Sequence, residues 1–159
     1  MLFGMATILE RTVSASPARV WELWTTPAGI SAWWAPEGFR TDVTRLDLAP
    51  GGELAYTMTA VAPDQVAFME QNGMPLATRS VKFFAEVEEP SRLSYRSVID
   101  FVPDREPYEH LTVVELHPDP AGTRVVMHVE PMHDEVWTER LVAGRGNELD
   151  NLAALVAAE

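Results

Sequence analysis

Cysteine is absent from the 159 residues, which excludes disulfides, thiolate metal sites and a thiol nucleophile and fits a reducing compartment. Positive charge is scarce as well. Against 24 Asp and Glu stand 12 Lys and Arg, giving a formal net charge of -12. Such a surface repels phosphate backbones and anionic lipid headgroups, so nucleic acid and membrane surfaces are poor partners. No stretch approaches the ~20 apolar residues of a membrane span. Met1 to Thr7 lacks the basic start and apolar run of a secretory signal, so a cytoplasmic location is expected. There is no Gly-x-Ser-x-Gly elbow and no Gly-rich phosphate loop, since Gly51-Gly52 follows Pro50 in a turn rather than opening a helix. Phosphoryl and acyl transfer are therefore not indicated. His117, His128 and His133 lack the i, i+4 spacing of a helical zinc pair, so no metal site is expected. No cofactor motif is visible, and none is expected.

What is present is an ordinary globular balance of 47% apolar and 23% charged residues, in a length that suits one domain over residues 1–159. Thr7 to Val13 has strand-like spacing. Ser16-Pro17 offers an N-cap and a first helical Pro ahead of Val20, Leu23 and Trp24. A second short helix from about Pro27 to Ala32 would carry Trp33 and Trp34. Pro50-Gly51-Gly52 predicts a hairpin turn leading into Leu54, Tyr56 and Met58. From Pro63 to Gly73 the pattern becomes helical, an insertion where a short turn would suffice. Val81, Phe83, Ala85 and Val87 alternate with Ser80, Lys82, Phe84 and Glu86, which assigns the first set to the core. Further strands carry Leu93, Tyr95 and Ser97, then His110, Thr112, Val114 and Leu116, then Val125, Met127 and Val129. Asp134 can cap a final helix to about Ala158, with Trp137, Leu141, Leu149, Leu152 and Val156 on one side. The order implies an α+β fold, with an antiparallel sheet buried on one face by the last helix.

Three segments carry a resemblance: Ser16-Pro17-Ala18-Arg19-Val20-Trp21-Glu22-Leu23-Trp24-Thr25-Thr26-Pro27, Trp33-Trp34-Ala35-Pro36-Glu37-Gly38-Phe39 and Leu46-Asp47-Leu48-Ala49-Pro50-Gly51-Gly52. With Gly122-Thr123-Arg124 and the leucine-rich final helix, they make the chain resemble homologues of the activator of heat-shock-protein ATPase, within the START-like or SRPBCC superfamily. The resemblance implies a helix-grip fold: a curved antiparallel sheet around a long C-terminal helix, with two short helices after the first strand and a deep pocket between. It implies no single reaction, because superfamily members include lipid carriers, hormone receptors and polyketide cyclases. Relatives often form dimers, which leaves a homodimer open. Two departures bear on the pocket: Gly144-Arg145 stands where many relatives have Gly-Trp, and Ala62 to Pro75 is longer than the family's usual turn.

The candidate ligand-binding residues follow. Trp33 and Trp34 are amphipathic rings beside a Pro-Gly turn, and they point in different directions if that segment is extended. One would then face the pocket while the other serves the core. Tyr56, Tyr95 and His110 fall on the inferred concave face, where each either orients a ligand or finds a backbone partner. His110 is the first choice for a general base. Met58, Phe83, Trp137 and Leu141 would complete the wall, and Phe68 and Met69 on the inserted helix over residues 63–73 would close it as a lid. Arg145, close to the apolar stripe, needs an acidic partner such as Glu139, Glu148 or Asp150, a path to the surface, or an anionic ligand group. The leading expectation is a binder of a small, mostly apolar or aromatic molecule. The alternatives are a cyclase-like or hydrolase-like enzyme using the same pocket, and a chaperone-ATPase regulator acting by surface contact. Burying ~200 Å² of ligand surface contributes ~5 kcal/mol before association costs, against about 1 kcal/mol for a hydrated ion pair, so apolar burial should drive binding.

Overall fold

The computed structural model describes residues 5–159; Met1 to Gly4, part of the stretch weighed as a targeting signal, lie outside it. Strand β1 (Thr7–Val13) leads into helix α1 (Pro17–Thr25), which starts where Ser16 Oγ accepts the Arg19 N–H at 3.2 Å. Helix α2 (Pro27–Trp33) follows at once, capped by Thr26 Oγ1, which accepts the Gly29 N–H at 3.0 Å. Glycine is required at position 29 because the two helices cross there. A Cβ would lie 2.7 Å from the Glu22 carbonyl oxygen. That close crossing sets Trp33 and Trp34 against the sheet.

The remaining strands are β2 (Phe39–Leu46), β3 (Glu53–Ala60), β4 (Ala77–Glu88), β5 (Arg92–Ile99), β6 (Tyr108–Asp119) and β7 (Gly122–Val129). All seven form one antiparallel sheet in the order β1-β7-β6-β5-β4-β3-β2. Between β3 and β4 lies helix α3 (Pro63–Gln71), and helix α4 (Glu135–Ala157) ends the chain. Asp134 caps α4 by accepting the Trp137 N–H at 2.8 Å. At its other end Glu159 pairs with Arg19 of α1, while Asn151 donates to the Ala35 carbonyl at 3.1 Å. This is the expected helix-grip arrangement. Among the described residues, no helix is long and apolar enough to cross a membrane.

Helix α4 is bound unequally along its length. Leu149, Leu152 and Val156 are fully buried in the core with Val20, Leu23, Trp24, Ile30 and the inner residues of the sheet. Trp137 and Leu141, two turns earlier, are only half-buried, and Val136 is 56% exposed. The helix is thus held by its C-terminal half, and its first turns lie along an open rim at the end of the sheet where β4 and β6 start and β5 and β7 end.

The structure corrects one strand assignment. Phe83 stands opposite Glu53 and Arg96 and faces outward, whereas Lys82 stands opposite Leu54 and Ser97 and faces the core. The physical reason is a bulge. The β4–β5 register shifts between Phe84 and Val87, so Val87 packs inward with Phe84 although the two are three residues apart. Read backwards from Val87 at period two, every residue before the bulge is assigned to the wrong face.

Candidate functional site

Trp34 is the floor of the buried site. Its ring centroid lies 5.0 Å from that of Trp33, 5.9 Å from Tyr56 and 6.2 Å from Tyr95, and the chain of rings continues from Trp33 to Trp24 at 4.8 Å. The two expectations for the tryptophan pair separate here. Trp33 donates its indole N–H to the Leu23 carbonyl at 2.8 Å and is core, while Trp34 meets the inner face of the sheet.

Over these rings sits Lys82, which sequence reasoning placed outside. Its Nζ lies 5.5 to 5.9 Å from the ring centres of Trp34, Tyr56 and Tyr95, and donates to Ser97 Oγ at 2.9 Å. Arg145 of α4 donates to the same Ser97 Oγ at 3.3 Å and to Glu148 at 3.0 Å, with its guanidinium 5.9 Å from the Tyr95 ring centre. Two cations therefore share one hydroxyl, and only one carboxylate is bonded to the pair. The residues flanking Ser97 on the inner face are Tyr95, directly opposite Thr112, and His110, directly opposite Ser97 itself.

The electrostatics follow from burial. Loss of water, then the neighbouring Arg145, lowers the Lys82 pKa to about 7. Burial works against the Arg145 charge too, but Glu148 and the two phenols hold its pKa above the ordinary value. Burial raises the Tyr95 and Tyr56 hydroxyls. It lowers the pKa of His110, whose Nε2 donates to the Glu130 carbonyl; the neutral ring then leaves Nδ1 as a bare acceptor.

Several buried polar atoms in this layer have no protein partner: the Tyr95 hydroxyl, Thr112 Oγ1, His110 Nδ1, Arg145 Nε and Glu148 Oε2. Native interiors rarely leave such groups unmet, since each costs about 1–3 kcal/mol. Here they gather on β5, β6 and the facing turn of α4.

Around the rim run three grooves that share residues. One of about 200 Å³ is walled by Phe101, Met132, Trp137, Arg140 and Leu141. It joins at Phe101 a groove of about 670 Å³ along β4 and β5, and at Met132 one of about 380 Å³ beside Tyr108 and His133. Helix α3 contributes no residue to any of them. Met69 anchors that helix by burial, but Phe68, one residue earlier and so about 100° round the helix, is 53% exposed. Phe68 is no wall residue. The expected continuous wall thus resolves into separate places: Tyr56, Tyr95, His110 and Arg145 inside, Met58 half-buried against the core, Trp137 and Leu141 at the rim, and Phe83 outside. Among the described residues, no cluster of His, Asp or Glu could hold a metal ion.

The family model described as Activator of Hsp90 ATPase homolog 1-like protein matches residues 14–157. Among solved structures, a protein from Chromobacterium violaceum is similar at 24% identity and a TM-score of 0.73, with 95% of this chain and 96% of that one covered. One from Arthrobacter aurescens is similar at 19% identity and a TM-score of 0.76, covering 100% of this chain and 90% of that one. A third, from Silicibacter pomeroyi, has 18% identity, a TM-score of 0.73 and coverage of 96% and 98%. At these identities the likeness is one of fold. A comparison with curated proteins gives no match.

Proposed function

Since the chain belongs to the family of Activator of Hsp90 ATPase homolog 1-like proteins, whose fold sets a long helix across a curved sheet, we propose that it binds a small, mostly apolar molecule between that helix and the sheet. The observation that carries this reading is the gathering of unpartnered buried polar atoms on β5, β6 and α4, beside a Lys82 ammonium that sits over the rings of Trp34, Tyr56 and Tyr95. An interior built only for stability would replace them with apolar groups. The route is the stripe of α4. Trp137 and Leu141 line the rim groove, and Arg145, one turn further along the same face, reaches the buried site. A ligand body lying along Trp137 and Leu141 is covered by apolar surface, and its far end meets the polar atoms.

The test is mass spectrometry of small molecules extracted from the natively purified protein, beside thermal melting with a panel of apolar compounds. A stoichiometric small molecule in the extract, reduced in Leu141→Trp, which fills the groove, is the expected result. Neither a co-purifying molecule nor a raised melting temperature with any compound would overturn the proposal.

A further inference from the structure

Resting on that reading, we infer that the ligand carries a carboxylate, and that its two oxygens sit between Lys82 and Arg145. The geometry supplies the argument. Lys82 Nζ and Arg145 Nη2 both lie within hydrogen-bond distance of Ser97 Oγ, so the two cations converge on a single neutral group. Glu148 bonds Arg145 alone. With Lys82 protonated, the buried ionic groups thus hold two positive charges against one negative, in a protein whose formal net charge is -12. A surplus of one positive charge away from water calls for one negative charge. It suits a monoanion better than a phosphomonoester with nearly two.

One donor is left over: Arg145 Nε is unpartnered, and the Arg145 guanidinium lies 5.9 Å from the Tyr95 ring centre. A planar guanidinium edge and an ammonium are the groups that bind a carboxylate by charge-assisted hydrogen bonds. The body of such an acid extends along α4 towards Leu141 and Trp137. Eight residues of helix separate Trp137 from Arg145, a reach of about 12 Å, which suits a bicyclic arene or a chain of about eight carbons.

The groups facing Lys82 set the pH behaviour: Trp34 after α2, Tyr56 on β3, Tyr95 and Ser97 on β5, His110 on β6, and Arg145 and Glu148 on α4. Burial, Arg145 and Glu148, in that order of weight, place the ammonium near its neutralisation point at physiological pH. A bound carboxylate favours the charged form, so binding an acid above neutral pH takes up a proton.

Two matched pairs test the inference by calorimetry: naphthalene-1-acetate with naphthalene-1-acetamide, and octanoate with octanamide. The acid of at least one pair should bind at least tenfold more tightly than its amide at pH 6. That preference should shrink by up to tenfold per pH unit above pH 7, while amide binding stays level. Lys82→Met should remove both the preference and its pH dependence and leave amide affinity within about threefold. Arg145→Met/Glu148→Gln, which strands no carboxylate, should likewise reduce the preference. If amides bind as well as acids, and Trp137→Ala weakens both, the anion inference fails while the small-molecule site stands. If acid affinity is unchanged in folded Lys82→Met, the inference fails as well. Absence of binding by all four compounds at millimolar concentration, with no co-purifying molecule and no raised melting temperature in the wider panel, would overturn both readings together.

Discussion

Replacing Lys82 by Met should make the protein more stable below neutral pH, by an amount that disappears as the pH rises. Burial and the Arg145 charge lower the Lys82 pKa from the ordinary 10.5 to about 7. The unfolded chain therefore holds the proton more tightly than the folded one. Below pH 7 both states are protonated, and the folded state bears the full disadvantage of the buried charge. Between about pH 7 and 10.5 the unfolded state binds one proton more, so wild-type stability from this group rises with pH. At about 1.4 kcal/mol for each tenfold change in acidity, the whole interval is an upper limit of about 5 kcal/mol. Met has a similar volume and loses only the hydrogen bond to Ser97, about 1 kcal/mol. The variant should thus gain up to about 4 kcal/mol at pH 6, about 1.4 kcal/mol less for each pH unit above pH 7, and little or nothing near pH 10. The neighbours do not confuse the window: His110 is neutral above pH 7, and the raised Tyr56 and Tyr95 hydroxyls keep their protons through it. Urea unfolding of both proteins at pH 6, 7, 8 and 9 gives the difference directly. A difference that is the same at pH 6 and pH 9, or a variant less stable than wild type at pH 6, would refute a buried, proton-labile ammonium.

Arg145→Met leaves Glu148 buried without its partner and should cost about 3–5 kcal/mol, while the double variant Arg145→Met/Glu148→Gln should recover most of that loss in the same unfolding assay. Tyr95→Phe removes a buried hydroxyl with no protein partner, so the ligand-free protein should be unchanged or up to about 1 kcal/mol more stable in its melt. Trp34→Ala should cost about 3–5 kcal/mol by opening a cavity among three rings, whereas Phe68→Ala on the exposed side of α3 should stay within about 0.5 kcal/mol in chemical denaturation.

The elements were legible because each begins or ends on a residue with local chemistry of its own. Ser16-Pro17, Thr26-Pro27 and Asp134 start helices by capping and by tolerance of a missing N–H, and those interactions need no knowledge of the rest of the chain. The inward set on β5 to β7 was legible for a related reason, since Tyr95, His110 and Val125 lie on strands whose registers run without interruption. The separation of Trp33 from Trp34 was legible only as a disjunction, because it depends on the crossing at Gly29, a contact between two helices.

Strand β4 shows where local reading stops. Val81, Phe83, Ala85 and Val87 form an unbroken apolar alternation, and by pattern alone they belong to the core. A bulge is a property of the pairing, and β4 acquires it from β5. One signal was present in the sequence: Phe84 and Lys82 alternate with the same period, and Ser97, on the same face as Leu93 and Tyr95, is a polar residue where a wholly apolar core would have none. The consequence reaches the functional reading. With Lys82 outside, Arg145 is a lone interior cation that Glu148 neutralises, and any acid preference rests on a single pair already satisfied. With Lys82 inside, that pair has a second cation beside it, and with Lys82 protonated the charge count goes from zero to plus one. A one-residue shift in strand register is therefore the difference between an inner layer with one paired cation and an inner layer with a second cation beside that pair, the observation on which the inferred acid preference rests.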